Sequence, residues 1–593
     1  MTGLDAALHD RLHALPSSGV DPDELQALGR RIRKALKADG DAFRPLRIGL
    51  ISSFLTDMLA DGLAASLARR GIVAAIEAAP YGALPGQLLA EDAPFAGCDL
   101  VFVLPSHRDL LRRPALGASA EEAKQAAAAE AAFWAALWPK LGCPVVQLGF
   151  DPPPVRTLGD GDGFLPGGAL GHVRATNALL FEAAPATVAL VDAEALAGWI
   201  GEAWHDARTY ALCKQPFANA ALGELAEALA SAAAGLLGKA RKALVLDLDN
   251  TLWGGVIGDV GLEGIALGME MAEGEAFVAF QAYVRTLAAR GVILAVSSKN
   301  QHEIALEVFR SHSGMVLKEE DISCFAVNFE DKASNLRRIA ETLNIGLDSL
   351  VFVDDNPVER GWVKQQLPEV LVVDLPPEPA GYIRAVEAAR AFPMQRLTAE
   401  DLQRGQSYRA LAAQAELAAS ATDLDAFLAS LEPKATLEPL SAATSDRIVQ
   451  LIRKTNQFKL NPDTFTLEEL TAPGRQVLAL SLADRMQDYG IVAVAVCEER
   501  GDCLQVLNWV MSCRVFSRRL EHVMLSELAK RAQAAGVECI RARFEPSPRN
   551  DVARGFLATL GFAGQDGGML EIEAAAAPDG ADFMTIFDRS NGQ

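Results

Sequence analysis

Residues 240–251 read ARKALVLDLDNT. Two basic residues lead into a four-residue apolar run, Ala243 to Leu246, and two aspartates follow, Asp247 and Asp249. A short apolar run that meets polar chemistry only at its end reads as a strand buried on both faces of a parallel sheet. Ligands of such open sheets bind just outside the carboxyl ends of the strands, where these carboxylates fall. The pattern repeats downstream in GVILAVSS (291–298), CFAVNF (324–329), SLVFVDD (349–355) and VLVVDL (370–375), with helical stretches near 275–290, 301–311 and 332–344 between them. Residues 239–400 are therefore expected to form one α/β domain with a Rossmann-like parallel sheet.

The strand ends carry a set of groups in a fixed order: acid–acid, hydroxyl, lysine, acid–acid. Asp247 is suited to attack phosphorus, and Asp249 to protonate a leaving oxygen and then activate water. Ser298, with Lys299 and Asn300, ends the next strand and offers hydrogen bonds to phosphoryl oxygens. Lys332 opens a later helix and offsets the charge of phosphate and aspartates. Asp354 and Asp355 end another strand and complete a metal shell with the first pair, for which hard, oxygen-ligated Mg2+ is the natural ion. Solvated helix caps and turns would also place Asp and Ser at such positions, but they do not explain the clustering of acids with a lysine at matching depth. About 40 residues lie between Asp249 and the next strand, and about 33 between Ser298 and Lys332. Neither gap has room for a separate cap domain, so an open site suited to a large or tethered substrate is expected.

The rest of the chain bounds the reading. At roughly 100–200 residues per domain, 593 residues imply three or four domains. With 55 Lys+Arg against 77 Asp+Glu, the net charge is 55 − 77 = −22. Phosphate backbones and anionic lipid repel such a chain, so neither nucleic acid nor membrane is an expected partner. No apolar run reaches the length of a spanning helix, and MTGLDAALHD lacks the basic start and apolar core of a signal peptide. The eight cysteines form no CxxC pair, which predicts reduced thiols and a cytoplasmic location. A helical lead-in (1–45) precedes a second α/β domain (46–200) with strands at 47–54, 71–79, 98–105 and 143–150. DPPPVRTLGDGDGFLPGG (151–168) is a loop at a strand end. A helical connector (201–238) leads to the central domain. A helical linker (401–425), an α+β domain (426–575) with an amphipathic helix over 517–536, and a tail (576–593) follow it.

The central motifs match the haloacid dehalogenase (HAD) phosphatase pattern. More narrowly, DLDNTLWGGVIGDVG, SSKN, DKASNLRRIAETLNIGLDSLVFVDDNPVER, KTNQFKLN, DRMQDYGIV and LNWVMSCRV together resemble the FkbH-like family, from roughly Trp204 to Phe562. The resemblance implies an Mg2+-dependent enzyme with Asp247 as nucleophile and Asp249 as acid/base. Thr251 would orient the loop, Ser298 and Lys332 would hold phosphate, and Asp355 with Asp354 would bind the metal. It further implies that a phosphorylated three-carbon acyl donor of the 1,3-bisphosphoglycerate kind is dephosphorylated, and that its glyceryl group passes to an acyl carrier protein or another acceptor in secondary-metabolite or polysaccharide assembly. Glyceryl-transferring members typically read Cys-Ser-Lys-Asn at the second motif. Here Ser297 replaces the cysteine, and a serine is a poor nucleophile without an adjacent base.

The third domain is similar to GNAT-type acyltransferases, but the glycines of their pyrophosphate-binding turn are replaced around Arg514, Ser517 and Arg518. Arg514 and Arg518 are candidate grips for a carrier, Cys513 a candidate thiol, and Asn550 a further acceptor-site residue. The first domain resembles an SGNH-hydrolase-like or flavodoxin-like sheet. Ser52 or Ser53 sits where a hydrolase serine would, without the usual Gly-Asp-Ser, and His107, His172 and His205 are candidate bases. Two other readings stand beside acyl transfer: a plain phosphohydrolase whose outer domains select substrate, and a non-catalytic carrier-protein scaffold.

Overall fold

The computed structural model describes residues 6–38, 45–80, 82, 84, 86, 95, 97–420, 428–429, 431–455, 457–485, 488–516, 518–547, 550–564, 568–578 and 580–589. They pack as two compact units, Met1–Arg241 with Val351–Arg396 and Lys242–Leu350 with Leu397–Gln593.

The first unit opens with two helices, α1 (Ala6–Ala14) and α2 (Pro22–Ala38). A sheet follows, built from β1 (Leu46–Ser52), β2 (Ala74–Ala78), β3 (Leu100–Leu104), β4 (Val145–Leu148) and β5 (Val188–Val191). Every pairing is parallel and the order is β2-β1-β3-β4-β5, the flavodoxin-like winding. The fifth strand is not announced in the sequence: four apolar residues between helices cannot be told from a helix end by periodicity. On one face of the sheet, α3 (Asp57–Ala68) and α6 (Asn219–Leu236) bury alanines and leucines with α2. On the other, α4 (Ala120–Ala135) and α5 (Ala169–Ala183) enclose Trp134 and Phe150. Ser119 and Glu122 close a reciprocal cap at the start of α4, satisfying two backbone donors that an Ala-rich helix cannot satisfy itself.

This core contains one buried charge cluster. The Glu227 carboxylate on α6 accepts from Ser66 Oγ at 2.8 Å and Arg69 at 2.9 Å, and pairs with Arg70 at 2.7 Å. Burial alone would raise its pKa, but Arg70 and Arg69 overcome that and hold it down to about 2.

The central sheet comprises β6 (Ala243–Leu246), β7 (Ile293–Ser298), β8 (Cys324–Val327), β9 (Leu350–Val353) and β10 (Leu371–Val372) in the order β10-β9-β6-β7-β8. The chain segments between its first strands are α7 (Ala272–Ala289), α8 (His302–Ser311) and α9 (Lys332–Thr342), and α10 (Pro357–Gln366) follows β9. No separate domain is inserted between Asp249 and Ser298 or between Ser298 and Lys332.

After α11 (Ala399–Ser420) comes a nine-stranded mixed sheet. Its long middle is antiparallel, with Arg475–Ala483, Asp488–Arg500 and Cys503–Met511 paired side by side. Cys539–Arg543 then adds in parallel. Helix α12 (Leu520–Ala535) buries Val523, Met524 and Leu528. Cys503 lies opposite Cys539 in this parallel pair, and the two are joined by a disulfide. That corrects the expectation of reduced thiols throughout: 36 residues apart in sequence, the two meet only because the strand register brings them together. No helix among the described residues is long and apolar enough to cross a membrane.

Candidate functional site

β6 ends at Leu246, and the next five residues can turn their side chains to separate partners because the backbone leaves the sheet there. Leu248 accepts from the N–H of Thr251 at 3.1 Å and of Leu252 at 2.7 Å. Asn250 takes a positive φ of 54°, a conformation that asparagine tolerates better than most residues. Its side chain accepts from the Gly255 N–H at 2.8 Å. The turn separates the roles of the two aspartates. Asp247 pairs with Lys332 Nζ at 2.7 Å. Asp249 is held by three donors: Trp253 Nε1 at 3.0 Å, the Ile257 N–H at 3.0 Å and Asn300 Nδ2 at 2.8 Å.

Lys332 is almost wholly enclosed, at 2% exposure. It opens α9 behind the N-cap Asp331, which accepts from the Ser334 N–H. Its ammonium meets the Asp247 carboxylate and donates to the Ser297 carbonyl at 2.7 Å. A buried ammonium needs such partners, because desolvation without them costs several kcal/mol.

The two serines of β7 are both buried and differ in engagement. Ser298 Oγ accepts from Asn300 Nδ2 at 3.2 Å, so Asn300 links it to Asp249. The Ser297 hydroxyl is fully buried and has no hydrogen-bond partner among the described residues. Thr251 is likewise fully buried, whereas Lys299 is exposed. Beyond β9, Asp354 is fully buried and accepts from the Asn356 N–H at 2.9 Å. Arg360 donates to the carbonyls of both Asp354 and Asp355 at 2.7 Å.

Asp247, Asp354 and Asp355 each place a carboxylate oxygen within 4.8 Å of the others. Three anionic oxygens at that spacing repel one another unless a cation joins them. An all-oxygen set fits a hard divalent ion of the Mg2+ kind. Asp249 is absent from this group among the described residues, its carboxylate being committed to Trp253, Ile257 and Asn300. A second group, Asp502 with Cys503 and Cys539, offers no thiolates because its cysteines are bonded to each other.

In the mixed sheet the candidate acceptor residues have partners within the fold. Arg518 is 4% exposed and donates to Asp484 at 2.5 Å and Tyr489 Oη at 2.6 Å. Arg514, 5% exposed, meets Ser512 and Ser407. Asn550 donates to the carbonyls of Lys459 and Glu545, both at 3.0 Å. Cys513 opens a short turn (Cys513–Val515); its side chain and Ser517 lie outside the described residues.

In the N-terminal sheet the Ser52 hydroxyl turns back onto the Phe54 carbonyl. His205 Nε2 bonds the Pro152 carbonyl at 2.8 Å. The residue that sequence reading passed over is Asp151, fully buried just beyond β4 and bonded to His107 at 3.0 Å. Its signal was present: an aspartate directly after VVQLGF has to find a partner when it is buried.

No family model and no curated relative matches the chain. Among solved structures, the chain is similar to the N-terminal part of protein BF1531 from Bacteroides fragilis, which contains a phosphatase domain and was solved in complex with Mg. The identity is 28% and the TM-score 0.57, covering 62% of this chain and 99% of that one. The ribosomal-protein-S18-alanine N-acetyltransferase from Escherichia coli aligns at 13% identity and a TM-score of 0.19, over 25% of this chain and 97% of that one. A GNAT-family acetyltransferase from Staphylococcus aureus Mu50 aligns at 9% and 0.19, over 24% and 99%.

Proposed function

We propose that this chain is an Mg2+-dependent phosphoryl-transfer enzyme of the HAD kind. In this reading it acts on a phosphorylated three-carbon acyl donor resembling 1,3-bisphosphoglycerate and passes the acyl group to an acyl carrier protein or a comparable acceptor. The observation that carries the phosphoryl part is the Asp247–Lys332 pair at 2.7 Å beside the Asp354 and Asp355 carboxylates. The likeness to the Mg-complexed phosphatase-domain protein supports the same metal.

A carboxylate oxygen of Asp247 forms a bond to the phosphorus of the donor's phosphate ester as the bond from that phosphorus to the leaving ester oxygen breaks. The acyl phosphate at the other end stays intact for transfer: the acceptor thiol attacks its carbonyl carbon and loses its proton as the bond from that carbon to the phosphate oxygen breaks. Asp249 supplies the proton that the leaving oxygen takes, which requires it to give up one of its three donors. Asp249 then removes a proton from water, which attacks the phosphoaspartate, frees phosphate and restores Asp247. Lys332 neutralises charge on the Asp247 side, and Ser298 is placed by Asn300 to meet a phosphoryl oxygen. Bound Mg2+ would supply charge neutralisation for the phosphoryl group, held by Asp247, Asp354 and Asp355.

Ser297 favours a second reading, plain phosphate hydrolysis. Its hydroxyl touches no base, so nothing activates it to carry an acyl ester. Intact-protein mass spectrometry decides between the readings. The enzyme is mixed with Mg2+ and 1,3-bisphosphoglycerate, with and without a holo acyl carrier protein. A glyceryl mass increase on the carrier supports transfer; free phosphate with no mass increase on either protein refutes it in favour of hydrolysis.

A further inference from the structure

The N-terminal sheet holds a small cavity of about 60 Å³ that lies outside the chemistry proposed above. It belongs to the edge where β3 and β4 end: His107 follows β3, and Asp151 follows β4. In a 2-1-3-4-5 sheet, this is the edge at which ligands bind.

Three polar side chains line it: His107, Arg113 and His172. Each brings a different capacity. Asp151 Oδ1 accepts from the His107 backbone N–H at 2.6 Å and from its Nδ1 at 3.0 Å. A carboxylate can only accept here, so Nδ1 carries a proton, and in the neutral ring Nε2 is then the acceptor. Arg113 donates to the His107 carbonyl at 2.5 Å and lines the cavity from an exposed position. His172 is 5% exposed, yet among the described residues neither ring nitrogen has a hydrogen-bond partner. Two orphaned nitrogens on a buried ring at a cavity wall are costly in the absence of a ligand or water.

The remaining wall is apolar or backbone. Leu110 and Pro153 contribute hydrocarbon. At Gly168 a side chain is excluded, because a Cβ would stand 2.1 Å from the Asp162 carbonyl oxygen. The neighbouring Glu130 carboxylate is already committed to the N–H groups of Leu111 and Arg112 and to Trp134 Nε1. Asp151 lies behind the His107 ring, against its Nδ1, with His205 Nδ1 at 3.9 Å on its other side. The permanent charge facing the cavity is then one guanidinium, which matches a monoanion better than a dianion. Burial lowers the His172 pKa, with Glu130 opposing and Arg113 assisting, so the neutral ring brings one donor and one acceptor.

We propose that this cavity binds a small hydroxycarboxylic acid, its carboxylate on Arg113 and His172 and its hydroxyl donating to His107 Nε2. Two donors for an oxyanion, one acceptor for a hydroxyl and a short apolar wall define that class. A bare anion would leave the His107 acceptor unused, and an uncharged alcohol would leave the guanidinium unmatched.

The test is calorimetric titration of the full chain with L-lactate, propionate, methyl lactate and inorganic phosphate. Lactate is expected to bind saturably in the millimolar range. Propionate, which lacks the hydroxyl, should bind about fivefold more weakly, and methyl lactate, which lacks the charge, should not bind measurably. R113Q and H172L should each weaken lactate about tenfold, while D247N should leave it unchanged, separating this site from the phosphoryl centre. R113Q sits at an exposed position and keeps the test valid if H172L does not fold. Equal affinity for lactate and propionate, tighter binding of phosphate than of lactate, no lactate binding at all, or lactate binding unchanged in R113Q would each overturn the assignment.

Discussion

At the carboxyl edge of the central sheet, carboxylates outnumber cations. Asp247, Asp249, Asp354 and Asp355 stand near the buried Lys332. At the same edge of the N-terminal sheet the balance is reversed: two imidazoles and a guanidinium line a cavity, and a single aspartate lies behind one of them. Both sheets are parallel, and both orders bring polar residues to the strand ends. The winding therefore decides where a ligand binds, and the residue types at the ends decide what binds. An excess of carboxylate calls for a cation and, through it, phosphate. A guanidinium beside neutral imidazoles suits an organic anion.

The largest effect that would break this contrast is at Asp247. D247N should lower phosphate release from a small phosphate ester by about 1,000-fold or more, while circular dichroism stays that of a folded chain. Turnover within about tenfold of wild type would place the nucleophile elsewhere.

The next effect tests what holds the N-terminal sheet's layer together. Glu227 is enclosed by Arg69, Arg70 and Ser66, and removal of one partner from a buried pair typically costs about 3–5 kcal/mol. E227Q should therefore shift urea unfolding by a cost of that order, yet leave phosphate turnover per folded molecule unchanged. Because the folded pKa of about 2 lies below the usual 4.5, this stabilisation is complete above pH 4.5 and fades as pH falls toward 2. An E227Q variant as stable as wild type at pH 7 would contradict it.

His13 on α1 gives a smaller effect at a milder pH. Burial, with His9, Arg241 and Arg69 nearby, lowers its pKa to about 4. Below pH 6.5 the unfolded chain takes up a proton that the folded chain refuses, so stability falls between pH 6.5 and 4 by at most about 3 kcal/mol, reduced by solvent screening at this half-buried ring. H13L should flatten that part of the profile in chemical denaturation; an unchanged slope would show that α1 does not bury an uncharged His13.

The smallest effect belongs to Ser297. Its hydroxyl has no partner among the described residues, so S297A should change phosphate release by less than about threefold. A larger loss would bring Ser297 into the phosphoryl chemistry and blur the distinction between it and Ser298.

The legibility of the two edges differs for a physical reason. The central edge could be read because its chemistry follows uninterrupted apolar runs: Asp247 and Asp249 after ALVL, Ser298 at the end of ILAVSS, and Asp354 after LVFV. Each motif is local, and strand periodicity fixes its place. What could not be read is how the groups are shared, since that depends on pairing across strands: Asn300 bridging Ser298 and Asp249, and Trp253 donating to Asp249. In the N-terminal sheet the histidines were visible but not their assembly, because His107, Asp151 and His172 come from three separate segments with no common spacing. In the mixed sheet, the candidate grips for a carrier, Arg514 and Arg518, are buried and bonded within the fold, which the sequence of their turn does not convey. The Cys503–Cys539 bond depends on register alone, which spacing in the sequence does not convey.

The central claim is that Asp247 is a phosphoryl acceptor in a divalent-cation site. Fluorine NMR of the full chain with beryllium fluoride, a mimic of the phosphoryl group that bonds to a carboxylate, tests it without knowledge of the substrate. Bound resonances should form in wild type only when Mg2+ is added, and should be absent in D247N. Bound resonances that form without Mg2+, or that persist in D247N, would contradict the account.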